Sequence, residues 1–233
     1  MCNYSLLNEH IASLSIQQTL FKDNEEFQKI LYGIIDRACK KIASSSKKIS
    51  RMEEINRIYE IINKMSDPED KKTLKNFIHK TLEDDISIRI VHIISEHENF
   101  MATHDQYNNG HVDIVVESKD LQYKWMGEAK LYGGKGYTQQ GLEQLVHDYS
   151  KGLPNESGGI LIYIDSTNIK TDAIITTWKA HLENLSKDPV NKLENLKAII
   201  DPKDSSILYT AHDHHLSNKP YFLKHFCVDL RFN

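Results

Sequence analysis

The stretch from Gly158 to Asp165, GGILIYID, constrains this chain more than any other. Its apolar residues follow one another without alternation, so as a strand it leaves no face for water and must be covered on both sides. A chain built around such a strand folds in layers, with helices above and below a sheet. Helices are offered on both flanks. Residues 1 to 66 hold one glycine, Gly33, and no proline. Within them Phe27, Ile30, Leu31, Ile34 and Ile35 recur at intervals of three and four, as do Ile55, Ile58, Ile61 and Ile62.

Ser66-Asp67-Pro68-Glu69 reads as a helix start, with a capping side chain, an early proline and an acid in the first turn. A boundary is placed there, giving a helical N-terminal extension over 1–66 and a main domain over 67–233. The helix is expected to continue through LEDDISIRIVHIIS. There the alternation of Ile86, Ile88 and Ile90 competes with the helical spacing of Leu82, Ile86 and Ile90, and length without turn residues favours the helix. After residue 97 the texture becomes that of strands. NFMATH and HVDIVVE flank the turn signal Asn108-Asn109-Gly110, and Val112, Ile114 and Val116 are expected on the face opposite Asp113, Val115 and Glu117. A third strand lies within YKWMGEAKL and ends at Gly133, Gly134 and Gly136. The segment TQQGLEQLVHDYSKG reads as a helix with Leu142, Leu145, Val146 and Tyr149 inward. A helix over TDAIITTWKAHLENL follows GGILIYID, and two strands, SSILYTAH and PYFLKHFCVDLRF, close the chain around DHHLSNK. Short turns make the first three strands antiparallel, whereas a helical crossover favours a parallel neighbour. The expected fold is α/β, with a central mixed sheet flanked by helices.

At 233 residues and a formal net charge of -4, the chain is no globally basic nucleic-acid binder. A local basic run, Arg37, Lys40, Lys41, Lys47, Lys48 and Arg51 around the single acid Asp36, reads either as a solvated linker or as a phosphate-contacting surface. Cys2, Cys39 and Cys227 lie far apart, which fits a reducing compartment better than a zinc ribbon or a disulfide framework. No run approaches the ~18 to 20 apolar residues of a membrane span, and MCNYSLLNEH lacks the features of a signal peptide. The expected location is the cytoplasm, with no membrane partner.

Within the apolar third strand stand Glu128 and Lys130, two apart and therefore on one face, with Trp125, Ala129 and Leu131 on the other. Ionised groups cost several kcal/mol to bury unless paired or metal-bound. A hairpin can bring Asp113 beside Glu128, and two adjacent carboxylates repel unless a cation joins them. Mg2+ is such a cation, since it takes oxygen ligands. Glu69-Asp70-Lys71 and Glu117-Ser118-Lys119 share the acid–x–lysine spacing, but they fall at a helix start and a strand end, where exposed charge costs little. Asp113, fourteen intervening residues, then Glu128-Ala129-Lys130 before a helix resembles the PD-(D/E)XK superfamily of restriction-endonuclease-like nucleases. The resemblance covers roughly residues 69 to 165, with Val112 in place of the proline common before the aspartate. It implies a restriction-endonuclease-like core and Mg2+-dependent phosphodiester hydrolysis, with Mn2+ able to substitute. Asp113, Glu128 and the Ala129 carbonyl would be metal ligands and Lys130 the catalytic lysine. It further implies Glu83 as an acid from the first helix, with Asp84 as its rival, and Gln144 from GLEQL near the metal. Nucleic acid, DNA before RNA, would be the partner, a homodimer would suit cleavage of two strands, and restriction or phage defence is a role such relatives fill. The alternative is an inactive nucleic-acid-binding or protein-interaction module on the same fold.

Other features point less far. Lys135 and Tyr137, expected in a glycine-rich loop, could meet a phosphate or stack on a base. Gln140, Gln144 and His147 form a polar helical stripe. Three His-Asp pairs, His104-Asp105, His147-Asp148 and His212-Asp213, suggest a metal-dependent phosphohydrolase of the HD type only if a helical bundle gathers them. The cluster His212, Asp213, His214 and His215 could bind a transition metal, but reads more simply as a polar hairpin tip.

Overall fold

The computed structural model describes residues 20–44, 52–107, 110–165 and 167–231. Lys47, Lys48 and Arg51 of the basic run, Asn108 and Asn109 of the expected turn, and Cys2 lie outside them.

Helix α1 (Asn24–Ser44) opens with Glu25 and Glu26 against the positive end of its dipole. Its Phe27, Leu31, Ile34, Ile35, Ala38, Cys39 and Ile42 are buried. Helix α2 (Met52–Lys64) buries Ile62 but leaves Ile58 and Ile61 in solvent. Helix α3 (Pro68–Ser95) begins as its sequence demands: the Asp67 carboxylate accepts the N–H groups of Glu69 and Asp70, with Pro68 next to the cap. Its buried residues start only at Leu82 and continue through Glu83, Ile86, Ser87, Ile90, Val91 and Ile94. Ahead of Ile78, which packs at the margin of the core, the helix therefore projects past it. The helical reading of LEDDISIRIVHIIS holds.

Seven strands follow in one mixed sheet of spatial order β1-β2-β3-β4-β7-β6-β5. Strands β1 (Phe100–Tyr107), β2 (His111–Ser118) and β3 (Lys124–Leu131) form an antiparallel meander. A helix, α4 (Lys135–Glu143), runs on into a π-helical turn (Gln144–Tyr149) and leads to β4 (Glu156–Ile164), which lies parallel to β3. Helix α5 (Thr171–Leu185) returns the chain to β5 (Glu194–Ile200), β6 (Ile207–Asp213) and β7 (Pro220–Asp229). Strand β7 is parallel to β4 and antiparallel to β6, which pairs antiparallel with β5.

The sequence reading contains no β5. This edge strand carries Asn195 at positive φ and a register shift before Lys197, so its alternation is broken where a strand signal would begin.

Helices α1 and α3 cover one face of the sheet and α4, the π turn and α5 the other, so β4 is sealed on both sides as its composition requires. Its paired glycines answer two different neighbours. A Cβ on Gly159 would lie 2.6 Å from the Trp125 indole, and one on Gly158 2.8 Å from the Tyr221 hydroxyl. Helix α1 belongs to the same apolar cluster as Trp125, Leu161 and Tyr163 of the sheet. The Lys224 ammonium, buried on β7, is held 2.9 Å from both carboxylate oxygens of Asp36 on α1.

Candidate functional site

The site forms where β2 begins and β3 ends. The β2–β3 ladder runs as far as Ile114 opposite Gly127, and one step further Asp113 would stand level with Glu128. There the strands part. Asp113 Oδ2 accepts the Ala129 N–H at 2.9 Å, so a side chain replaces a ladder bond. On its other side β2 has no ladder partner at Asp105, which adopts φ 54°. The pleat changes at the same point. Ile114 and Val116 pack on the α1/α3 side, but Val112 joins Val115 on the opposite side, correcting the alternation expected for this strand.

Glu128 and Lys130 share a face, as period two demands, beneath α4. Lys130 Nζ donates to Glu128 Oε1 at 2.7 Å, and both are buried. Glu128 Oε2 is buried with no hydrogen-bond partner. Gly141 on α4 makes the close seat possible, since a Cβ there would lie 3.0 Å from Glu128 Cγ and 3.1 Å from Lys130 Cγ. From α3, Glu83 Oε1 accepts the Leu131 N–H at 2.7 Å and the Tyr137 hydroxyl at 3.2 Å, tying the helix to the end of β3. Asp84, the rival acid, points instead to Lys80 at 3.1 Å and to His104 Nε2 at 3.5 Å. Lys80 Nζ also lies 3.0 Å from Asp113 Oδ1.

Burial and then the neighbouring Asp113 charge push the Glu128 carboxyl up to about 8. Burial opposes the Lys130 ammonium, yet Glu128 and Asp113 more than offset it and its pKa rises. Burial likewise raises Glu83, in spite of the N–H it accepts from Leu131. The Tyr149 hydroxyl, pushed up to about 12 by burial and by Glu128 and Asp113, lies within the field of the cluster, and its ring packs against Gly110.

The structure thus brings together Asp113, Glu128, Lys130 and Glu83. Gln144 opens the π turn, and the hydrogen bonds that hold the cluster do not include it. That turn breaks the 3.6-residue period on which the Gln140-Gln144-His147 stripe depends, and His147 Nε2 meets the Asn191 carbonyl instead. Lys135 and Tyr137 stand in the first turn of α4 and not in a loop. Sequence reasoning missed Lys80, Gly141 and Tyr149. Of the three only Tyr149 is singled out in the sequence, as an inward residue of its helix.

The histidine pairs do not converge as a group. His104 stays beside Asp84, whereas His147, His214 and His215 meet near the β6–β7 turn. His214 Nδ1 accepts the Leu216 N–H, so its Nε2 carries the proton and donates to Ser150 at 2.8 Å, which leaves no base for that hydroxyl. Among the described residues no three or more His, Cys, Asp or Glu side chains form a group that could hold a metal ion.

The chain matches no protein-family model, no curated protein and no solved structure. Geometry and chemistry carry the functional reading.

An ion at Asp113 and Glu128 would have two carboxylates and one backbone carbonyl, that of Ala129. These residues fit Mg2+ in donor chemistry and in the orphaned Glu128 oxygen. Lys80, half-exposed and 3.0 Å from Asp113 Oδ1, would have to yield that oxygen to the ion.

Proposed function

We propose that the chain is a Mg2+-dependent nuclease with a restriction-endonuclease-like core, acting on DNA. The order of helix α3, antiparallel β1-β2-β3, helix α4 and parallel β4 supports that core. The observation that carries the activity is the parting of β2 and β3 at Asp113 and Glu128, which leaves one Glu128 oxygen buried and unpartnered. In a purely structural ion-pair cluster such an orphan is an uncompensated cost of about 1–3 kcal/mol. In a cation site it is a ligand.

Asp113, Glu128 and the Ala129 carbonyl would hold the Mg2+ or Mn2+. When bound, the ion polarises a phosphate oxygen and acidifies a coordinated water. Lys130 keeps a proton on Nζ inside the protein, where its charge faces the negative charge that gathers on the phosphate as water oxygen bonds to phosphorus and the leaving oxygen departs. Glu83 and Tyr137 fix the end of β3 and so the height of Lys130. Asp113, by capping Ala129, keeps the two strands parted.

One observation favours the alternative, an inactive binding module: Lys80 already neutralises Asp113, and Lys130 one oxygen of Glu128. Incubation with plasmid and Mg2+ separates the readings. Cleavage is expected, and is expected to vanish with Glu128→Ala and with EDTA. Cleavage that survives both would rule out this site, and no cleavage of DNA or RNA by the unaltered protein would leave the binding module.

A further inference from the structure

The first half of α3, residues 68 to 81, contributes no buried residue although the helix is unbroken. Ile78 still packs against the margin of the core, and the ten residues ahead of it extend about 15 Å further at 1.5 Å per residue. It projects from the end of the sheet where Asp113 and Glu128 lie, because at its base Lys80 reaches Asp113 and Glu83 reaches the Leu131 N–H at the end of β3. Between Lys71 and Lys80 this segment holds four lysines and no acid, in a chain whose net charge is -4. Lys72, Asn76 and Lys80 follow one another at intervals of four and are all exposed. With Glu83 they fall within about 80° of the helix circumference. His79 lies about 20° to the far side of Lys72, where its ring meets Tyr59 of α2 and marks the edge of this face. Beside this line Phe77 is 68% exposed, and the β1–β2 hairpin adds exposed Tyr107 and His111 just before Asp113.

We infer that the projecting half of α3 is a rail for the phosphate backbone of duplex DNA, with Lys72 and Lys80 as its charged rungs, delivering the strand to Asp113. The inference rests on the nuclease reading for the site at the end of the rail. Lys72 and Lys80 are about 12 Å apart along the helix, a span of three to four phosphates of one B-DNA strand measured on its axis. The rung nearest the site has two stations. In the free protein Lys80 sits on Asp113 and Asp84, and its side chain, 54% exposed, is free to exchange a carboxylate for a phosphate.

The test measures binding without turnover, by fluorescence anisotropy of a labelled 20-base-pair duplex in EDTA across a range of salt. Each lysine that meets a phosphate contributes about one unit to the slope of log affinity against log salt. Lys72→Ala and Lys80→Ala are each expected to lower the slope by about one and the double variant by about two. Lys187→Ala, on an exposed lysine beyond α5, is expected to change nothing. Among the described residues Lys72 has no ion-pair partner, so its variant keeps the test valid if Lys80→Ala loosens the fold. A double variant that keeps the wild-type slope overturns the rail, as does absence of binding to duplex DNA. Binding to single strands or duplex RNA alone also overturns it. Cleavage in Mg2+ with unchanged slopes would overturn the rail and leave the nuclease. Lowered slopes without cleavage would leave the rail and remove the nuclease.

Discussion

Glu128 and its neighbours show how much chemistry one strand end can concentrate. Asp113, Glu128 and Lys130 were legible because each breaks an apolar pattern, and a charge within a buried strand demands a reason. Lys80 was not, for it lies on an exposed helical face among other lysines, and only folding sets it 3.0 Å from Asp113. Replacing it with alanine removes an ammonium that competes for the carboxylate. Mn2+ affinity in solution, measured by calorimetric titration, should rise about 5- to 30-fold, the range of a coupling of 1–2 kcal/mol. Unchanged affinity would mean that the ion does not use Asp113. Gly141 was equally hidden, as a glycine in a helix signals nothing by itself. Gly141→Val should press on the stems of Glu128 and Lys130 and lower cleavage by 10- to 100-fold, since a displacement of about 1 Å suffices for that. Circular dichroism should find the fold intact.

Among the elements, the strands with continuous or alternating apolar residues could be read directly, and β5 could not, because positive φ at Asn195 and the register shift after it interrupt the pattern that marks a strand. The change from α to π winding at Gln144 is likewise set by packing, and it moves the following side chains off the expected stripe. Strands β3 and β4 are matched through Trp125, whose indole lies over Gly127 and Gly159. Alanine at either glycine would put a methyl group within 2.4 to 2.6 Å of that ring. A loss of about 1–3 kcal/mol in urea denaturation is expected for each. On β6, burial holds the ring of His212 down to about 4, well under its ordinary 6.5. Below pH 6.5 the unfolded chain takes up that proton and the folded chain does not, so the contribution is whole above 6.5 and is lost as the pH falls toward 4. His212→Leu should therefore flatten the fall in melting temperature across that interval. An acid limb unchanged by the substitution would show that the ring titrates freely.

At the scale of the whole molecule, the layered α/β plan follows from one strand that tolerates no exposed face, and this was legible. The role of α1 was less so. Periodicity identifies the helix but not its partner, and the structure seats it in the same core as the sheet, clamped by Lys224 and Asp36. Asp36→Ala strands a buried ammonium and should cost about 3–5 kcal/mol, whereas Asp36→Ala combined with Lys224→Met should recover most of that loss. A double variant no more stable than Asp36→Ala would place the cost elsewhere. Strand β4 has parallel neighbours on both edges, and each reaches it through a long connection. Until both have docked, a ribbon of Ile160, Leu161, Ile162, Tyr163 and Ile164 has bare hydrogen-bonding edges and no polar interruption. Nascent chains released before β7 is synthesised should therefore associate with one another, and cooling or chaperone supply during expression should govern the yield more than any change at the protein's surface.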